Sequence, residues 1–301
     1  METIKEYECC KLCPRECGIN RYKKNGFCGT GAAVIAAKAY LHQWEEPCIS
    51  VINGAGTIFF SGCSLKCRFC QNSVISNKAY GAEITTDRLS EIFLELQGRG
   101  ADNIELVTPT HFAPSIIKAL DRVRHKLDIP VIWNTGGYEK IETLKMLEGY
   151  IDVWLPDIKF YSNDMAARYS SASGYFEIAS AAVLEMINQA GKLQFDPSGK
   201  LLKGTVIRHL VLPGGRHDSM KIMDWISENV SQESALVSIM NQYTSFDFIP
   251  EEYPELKRRV TKMEYNSVVR RAQELGIKGY TQERSSSTDE YVPDFDLTGI
   301  V

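Results

Sequence analysis

The sequence has 301 residues, of which 44% are hydrophobic and 24% charged, and its formal net charge is -4. This composition is typical of a folded protein of ordinary size, and the slight acidic balance excludes the basic surface that attracts nucleic acid or anionic lipid. The chain has no apolar run of about 18 residues, and its start, METIKEYECC, lacks the apolar core of a secretion signal. We therefore expect a cytoplasmic protein with neither a nucleic-acid nor a membrane partner.

All nine cysteines fall within the first 70 residues. Because thiols in a reducing compartment bind metal more often than they form disulfides, this clustering predicts metal sites. Residues 1–50 form a predicted cysteine-rich metal-binding leader. Four of its thiols are enough to close a zinc site or a second iron–sulfur cluster: Cys10, Cys13, Cys17 and Cys28. Short glycine-containing loops between them favour zinc. Cys9 is an alternative to Cys10, and Cys48 is interpreted as a buried free thiol.

Beyond the leader, short apolar runs alternate with helical patterns. The first strands are predicted over residues 56–60 and 103–107, with an amphipathic helix over residues 88–100 between them. Four further apolar runs, each after a helical pattern, complete six strands: IPVIW, IDVWLP, GTVIRHLVLP and ALVSIM. Strands that are apolar throughout are covered on both faces, so the series predicts an α/β fold, a partial (β/α)6 TIM-type barrel with a parallel sheet. An open doubly wound sheet is the alternative.

The predicted barrel spans residues 51–250, and residues 251–301 are predicted to form a charged helix followed by a draped polar tail. Polar, small or metal-binding residues follow every predicted strand, as in SGCSLKCRFC, TPTHF, NTGGY, PDIK, PGGRHD and NQY. In (β/α) barrels the carboxyl ends of the strands face one shared site. We expect these residues to converge there.

Three cysteines follow the first predicted barrel strand, Cys63, Cys67 and Cys70, in a Cys-x3-Cys-x2-Cys spacing with Phe69 before the last. Three thiolates leave one iron of a [4Fe-4S] cube without a protein ligand. The motif resembles the signature of the radical S-adenosylmethionine (SAM) superfamily. The resemblance implies a [4Fe-4S] cluster that binds SAM at its open iron, and an enzyme that cleaves SAM reductively to a 5'-deoxyadenosyl radical that abstracts hydrogen from a substrate. A zinc site completed by His42 or Cys48 is the alternative.

Nearly the whole chain resembles the pyruvate formate-lyase-activating-enzyme-like branch of that superfamily, through stretches such as CKLCPRECGINR, GTIFFSGC, LVTPTHF and VIRHLVLPG. The resemblance implies an activase-like oxidoreductase with a protein or peptide substrate and a flavodoxin- or ferredoxin-type electron donor. It implies catalytic roles for the three cysteines and Lys159. The cofactor-binding residues that it implies are Phe69, Thr108, Thr110, His111, Asn134, Asp157, Lys159, Arg208 and Gln242.

The sequence departs from the activases at two places. Asn134 stands where they have an acid, and residues 108–111 (TPTH) replace a Gly-Gly-Glu whose carboxylate holds the amino group of SAM. Hydroxyl groups accept hydrogen bonds from an ammonium but bring no countercharge. A radical SAM enzyme acting on a small molecule is therefore the second hypothesis, and a non-catalytic metal-stabilised binding protein is the third. Glu45 and Glu46 are candidate acid–base residues, but we interpret them as exposed helix-cap or loop acids. Aromatic packing is the expectation for Tyr138, Tyr161, Tyr169 and Tyr175.

Overall fold

The structure is a computed structural model that describes residues 3–282 and 293–301. Its strands are β1 (Val34–His42), β2 (Ala55–Phe60), β3 (Ala82–Ile84), β4 (Ile104–Val107), β5 (Val131–Thr135), β6 (Val153–Pro156), β7 (Gln194–Phe195), β8 (Leu201–Leu210), β9 (Ala235–Met240) and β10 (Gly279–Thr281). Its α-helices are α1 (Ser73–Ser76), α2 (Thr86–Gly98), α3 (Ala113–Val123), α4 (Ile141–Met146), α5 (Asn163–Ser170), α6 (Tyr175–Ala190), α7 (Arg216–Asn229) and α8 (Lys262–Glu274). No helix in this part of the chain is both long and apolar enough to cross a membrane.

The strands form one mostly parallel sheet in the order β10-β9-β8-β6-β5-β4-β2-β1-β3, with β7 attached to β8. The six predicted strands are β2, β4, β5, β6, β8 and β9; they are parallel neighbours in chain order, and helices connect them. Within the described residues, β3 and β10 lie at opposite ends of this order. The sheet is thus an incompletely closed barrel, and the predicted α/β partial-barrel class is confirmed.

The strand β1 is the main element that the sequence interpretation missed. It lies inside the predicted leader and pairs antiparallel with β2, so that His42 is opposite Ala55. Helix boundaries also shift. The helix predicted over residues 88–100 begins earlier, at Thr86, because the hydroxyl of Thr85 accepts a hydrogen bond from the backbone N–H of Arg88 and caps the first turn.

The leader packs directly on the barrel. The Tyr7 hydroxyl lies 2.8 Å from the Ser115 hydroxyl on α3, and the buried Arg21 guanidinium donates a hydrogen bond to the carbonyl of His111. The Cys63 N–H donates to the carbonyl of Cys28 at 3.1 Å. The leader and the three-cysteine loop are therefore in direct backbone contact.

The chain end that follows the predicted charged helix returns to β1. Ala39 donates a backbone hydrogen bond to Thr298 at 2.8 Å, and Leu297 donates one to Ala37 at 3.1 Å. The part of the predicted tail at residues 283–292 lies outside the described residues.

One buried carboxylate fixes the loop between β1 and β2. The Oδ2 atom of Asp102, at the start of β4, accepts hydrogen bonds from four consecutive N–H groups between 2.8 and 3.1 Å, those of Val51, Ile52, Asn53 and Gly54. Charge-assisted bonds of this kind are stronger than neutral ones. Asp102 thus anchors the loop at the amino ends of the parallel strands.

We expect Asp102→Asn to lower the free energy of unfolding by about 1–3 kcal/mol, because the amide keeps one oxygen acceptor but loses the charge. Denaturant unfolding followed by circular dichroism measures the change. The exposed Asp128→Asn is the matched control and should behave as the wild type. Equal stability of the two variants would show that the charge on Asp102 does not hold the loop.

Candidate functional site

A cavity of about 570 Å³ lies at the carboxyl ends of the parallel strands, a volume within the usual range for ligand sites. All six predicted barrel strands contribute lining residues at or just after their carboxyl ends. These are Cys63, Thr108, Gly136, Asp157, Leu210 and Gln242. The convergence expected from the sequence is therefore present.

Each sulfur of the three-cysteine loop accepts one hydrogen bond. The Ser170 hydroxyl donates to Cys67 Sγ at 3.0 Å, the Ser76 hydroxyl to Cys70 Sγ at 3.3 Å, and the Leu65 N–H to Cys63 Sγ at 3.4 Å. Burial raises the pKa of Cys63 to about 12 and that of Cys67 to about 11. Buried thiolates therefore require a positive partner such as iron, and three hydrogen-bonded sulfurs on one cavity wall fit an iron–sulfur cluster.

A buried ion-pair network lies beside the cysteines. Asp157, which follows β6, accepts hydrogen bonds from Lys159 Nζ on one oxygen and from Arg208 Nε, at 3.0 Å, on the other. Burial opposes the charge on Asp157, but the two cations outweigh it and lower its pKa. Burial also opposes the charge on Lys159, but Asp157 and Cys67 outweigh it and raise the pKa of the lysine. All three groups therefore stay charged, and Lys159 is held near the sulfur of Cys67.

Tyr175 fixes the loop that carries Lys159. Its hydroxyl donates to the carbonyl oxygens of Gly136 at 2.8 Å and Asp157 at 3.0 Å, and accepts a hydrogen bond from the Lys159 N–H at 3.0 Å. Tyr175 is fully buried and does not line the cavity. It supports the loop from behind, in agreement with the packing expectation.

Asn134 bridges charges of opposite sign. Its side-chain nitrogen donates to Glu105 Oε1 at 2.7 Å, and its oxygen accepts from Arg208. The other oxygen of Glu105 accepts from the Thr57 hydroxyl at 2.6 Å. Sequence interpretation missed Glu105, which lies in the middle of an apolar strand; its place inside a barrel becomes apparent only when the sheet is folded.

Seven of the nine predicted cofactor-binding residues line the cavity, and two do not. Thr110 donates its hydroxyl hydrogen to Glu139. The imidazole Nε2 of His111 lies 2.8 Å from the carbonyl oxygen of Ser61, and burial lowers the pKa of His111 to about 3. Both side chains brace loops. Those that do line the cavity are Phe69, Thr108, Asn134, Asp157, Lys159, Arg208 and Gln242.

The interpretation of Glu45 and Glu46 as exposed loop acids was wrong. Both line the cavity; the side chain of Glu45 is 11% exposed, and Glu46 is 8% exposed. Glu45 Oε2 lies 3.4 Å from Arg208 NH1. The loop that carries them is folded inward by long-range contacts, including that with Asp102, which no local pattern reveals.

Four leader cysteines lie near one another. The sulfurs of Cys17 and Cys28 lie 3.6 and 3.3 Å from the position that a Cβ would take at Gly26, so both sulfurs lie beside this glycine. Burial, together with the neighbouring thiols of Cys28 and Cys10, raises the pKa of Cys13 to about 12. Among residues 3–282 and 293–301, no three His, Cys, Asp or Glu side chains gather closely enough to hold a single metal ion.

Comparison with known proteins assigns the family. A model of the radical SAM superfamily matches residues 57–226, more than half of the chain. The chain belongs to the radical SAM superfamily. The uncharacterized protein MJ0674 of Methanocaldococcus jannaschii is 30% identical over 278 residues, which cover 89% of this chain and 75% of that protein.

Solved structures show the same fold at low identity. A mutant of spore photoproduct lyase matches with a TM-score of 0.53 and 12% identity, covering 83% of this chain and 80% of that one. Methylornithine synthase (PylB) matches with a TM-score of 0.50 and 14% identity, covering 73% and 68%. The predicted superfamily is confirmed, and with it a radical SAM enzyme that uses a [4Fe-4S] cluster and SAM.

Glu139 gives the protein a specific pH dependence. Burial raises the pKa of Glu139 from 4.5 to about 7, although hydroxyl hydrogen bonds from Thr110 and Thr135 counteract it. A folded-state pKa above the unfolded value stabilises the fold at low pH, and this contribution is lost as pH rises through about 7. From about pH 5.5 to 8.5 the loss amounts to about 2 kcal/mol.

We expect Glu139→Gln to remove this loss, because an amide does not titrate. Chemical unfolding of the anaerobic protein across that pH range should therefore give a flatter stability curve for the variant than for the wild type. The exposed Glu148→Gln serves as the control. Parallel curves for wild type and Glu139→Gln would contradict the assignment.

Proposed function

We propose that the enzyme abstracts hydrogen from a residue of a protein or peptide that enters the cavity. The observation that carries this proposal is the set of three hydrogen-bonded sulfurs on the wall of a cavity lined from all six barrel strands. Cys63, Cys67 and Cys70 would hold the [4Fe-4S] cluster there, and the reduced cluster with SAM would supply a 5'-deoxyadenosyl radical for the abstraction of hydrogen from a C–H bond of the substrate. The resemblance to activases supports a protein or peptide as the source of that hydrogen.

The chain's own residues have separate roles in this proposal. Cys63, Cys67 and Cys70 would ligate three irons of the cluster. Lys159, already charged and close to Cys67, is the partner for the SAM carboxylate, and Asp157 holds the lysine in place. Asp157 also pairs with Arg208, so its single negative charge is divided between two cations. It therefore orients Lys159 without cancelling the positive charge of the lysine completely.

Apolar and amide groups complete the proposed SAM site. Phe69 is buried between Phe160 and Tyr243, with both ring centroids 6.2 Å away, and closes the wall behind the cysteines. The amide of Gln242, at the end of β9, accepts a hydrogen bond from Gln282 at 3.2 Å and faces the cavity, where it suits the adenosine part of SAM. A closed apolar wall excludes water from a radical intermediate.

We expect anaerobically reconstituted protein to release 5'-deoxyadenosine from SAM on reduction. Replacing Cys63, Cys67 and Cys70 together by Ala should reduce this to the level without enzyme, because no iron ligands remain in the loop. Chromatography measures the product, and Cys48→Ala, at a buried thiol outside both cysteine groups, is the control. Full activity in the triple variant would contradict the assignment of these cysteines.

The hydrogen source is identified by deuterium transfer. A deuterated cell extract is divided by dialysis, and each fraction is incubated with the enzyme and SAM. Deuterium in the 5'-deoxyadenosine formed with the retained fraction supports a protein or peptide substrate. Label only from the diffusible fraction supports the second candidate, an enzyme that acts on a small molecule. The cavity volume of about 570 Å³, which is within the range for small-molecule sites, favours that candidate.

We further propose that Cys10, Cys13, Cys17 and Cys28 hold a second iron–sulfur cluster that passes electrons from a flavodoxin- or ferredoxin-type donor. Two observations support it. The sulfurs lie close together, but they do not converge on a site for a single ion, and a zinc site requires such convergence. The sulfurs of the three-cysteine loop do not converge on a single-ion site either. In addition, the carbonyl of Cys28 accepts the hydrogen bond from the Cys63 N–H, so a centre held here adjoins the other cluster.

Metal analysis tests the second centre. We expect about eight irons per chain in the wild type and about four after replacement of Cys13 and Cys28 by Ala, since each cube carries four irons. The control is Cys48→Ala with unchanged iron. One equivalent of zinc with only four irons would establish the zinc alternative favoured by the sequence.

A further inference from the structure

The acidic pair Glu45 and Glu46 lies on the side of the cavity away from the cysteines. The loop that carries the pair leaves β1 at His42, opposite Ala55, the first residue of β2, whereas Cys63 follows the other end of that strand. Downstream in the loop, the carbonyl of Cys48 accepts a hydrogen bond from the N–H of Leu201, the first residue of β8, at 2.9 Å. The two ends of a six-residue strand are about 16 Å apart. The backbone that carries the pair thus lies toward the amino ends of the strands, and from there the side chain of Glu45 reaches Arg208.

Among the described residues, Glu46 has a carboxylate oxygen without a hydrogen-bond donor, although its side chain also contacts the carboxyl group of Glu45. It is more than nine-tenths buried and lines the cavity, and its Oε2 atom has no hydrogen-bond partner in the described part of the chain. Glu45, by contrast, lies 3.4 Å from Arg208 and 3.8 Å from His42. Burying a carboxylate oxygen without a donor is costly, so this oxygen calls for a donor other than the acidic side chain of Glu45.

The charges around the cavity indicate that this donor carries a positive charge. Four carboxyl groups lie in this network, those of Glu45, Glu46, Glu105 and Asp157, and the cations that line the cavity beside them are Lys159 and Arg208. Both cations are hydrogen-bonded to Asp157. Burial lowers the pKa of His42, so it adds no charge near neutral pH. Burial and the charges of Glu105 and Glu46 raise the pKa of Glu45, as expected where negative charge is in excess.

We propose that Glu46 binds a cationic nitrogen group of the substrate, an ammonium or a guanidinium, at the end of the cavity opposite the iron–sulfur cluster. The proposal rests on the proposed function in assuming that a substrate occupies the cavity with SAM. The methionine end of SAM, which carries its own ammonium, must reach the cysteine loop, whereas Glu46 lies beyond Arg208 on the far side. A charged group anchored there would extend toward the cluster and present its C–H bonds to the radical.

Two pairs of probes test this, each matched in shape and differing in charge. The first is n-butylguanidine and its neutral analogue n-butylurea, which represent a free small molecule. The second is a capped glycine–arginine–glycine peptide and the same peptide with citrulline, which represent a peptide. Calorimetric titration into cluster-loaded, SAM-bound enzyme should show saturable binding of at least one cationic probe. Each bound cation should bind at least about tenfold more tightly than its neutral analogue.

Glu46→Gln should weaken the binding of that cation about tenfold or more, because the amide cannot supply the charge. SAM affinity, measured by equilibrium dialysis, should change less than about twofold, and the exposed Glu83→Gln should behave as the wild type. Binding of the guanidine without the peptide assigns the site to a small molecule; tighter binding of the peptide assigns it to a basic side chain.

Three results would overturn the proposal. They are the absence of saturable binding of either cation to the wild type, equal binding of charged and neutral probes, and loss of SAM affinity in Glu46→Gln, which would assign the carboxylate to SAM itself. Release of 5'-deoxyadenosine by the same preparation is measured in parallel. If no 5'-deoxyadenosine is released, the proposed function is contradicted. If it is released and any of these three results is obtained, only the role proposed for Glu46 is contradicted.

Discussion

The shared carboxylate of Asp157 is the interaction on which the geometry of the cavity depends. It joins Lys159, on its own loop, to Arg208 on β8, and through Arg208 it reaches Asn134 on β5 and Glu45 in the loop after β1. Ionised groups lose solvation on burial, and the pairing of Asp157 with two cations offsets that cost. Removing Asp157 would leave Lys159 without its hydrogen-bonded carboxylate and Arg208 with Glu45 as its remaining ion-pair partner among the described residues.

Asn134 shows why this chain departs from the activase pattern at that position. Its amide donates to Glu105 and accepts from Arg208, so it connects an acid to a base. An ionised aspartate has no hydrogen to donate and would place a second negative charge against Glu105. An amide at this position therefore suits its two partners, Glu105 and Arg208, better than an acid does. It also adds no further negative charge to a cavity in which carboxylates already outnumber cations.

The sequence predicted the strand order and the convergence of polar residues because both follow from local patterns: apolar runs, helical periodicity and the common direction of parallel strands. It could not predict side-chain direction where a distant partner decides it. Thr110 turns to Glu139, 29 residues away, and Glu45 is drawn inward to Arg208, 163 residues away. β1 was missed for a similar reason, since this antiparallel strand gains its stability from pairing with β2 and β3 rather than from its own sequence.

Gly62 shows that the leader and the three-cysteine loop fit together as one unit. Its backbone has φ of +88°, and a Cβ at this position would lie 2.8 Å from the carbonyl oxygen of Cys28 and 2.7 Å from the Thr30 side chain. Only glycine permits this approach, which also allows the Cys63 N–H to bond to Cys28. A change in the backbone of the leader near Cys28 would thus shift the backbone at Cys63. The same contact that brings the two cysteine groups together makes the conformation of the three-cysteine loop depend on the leader.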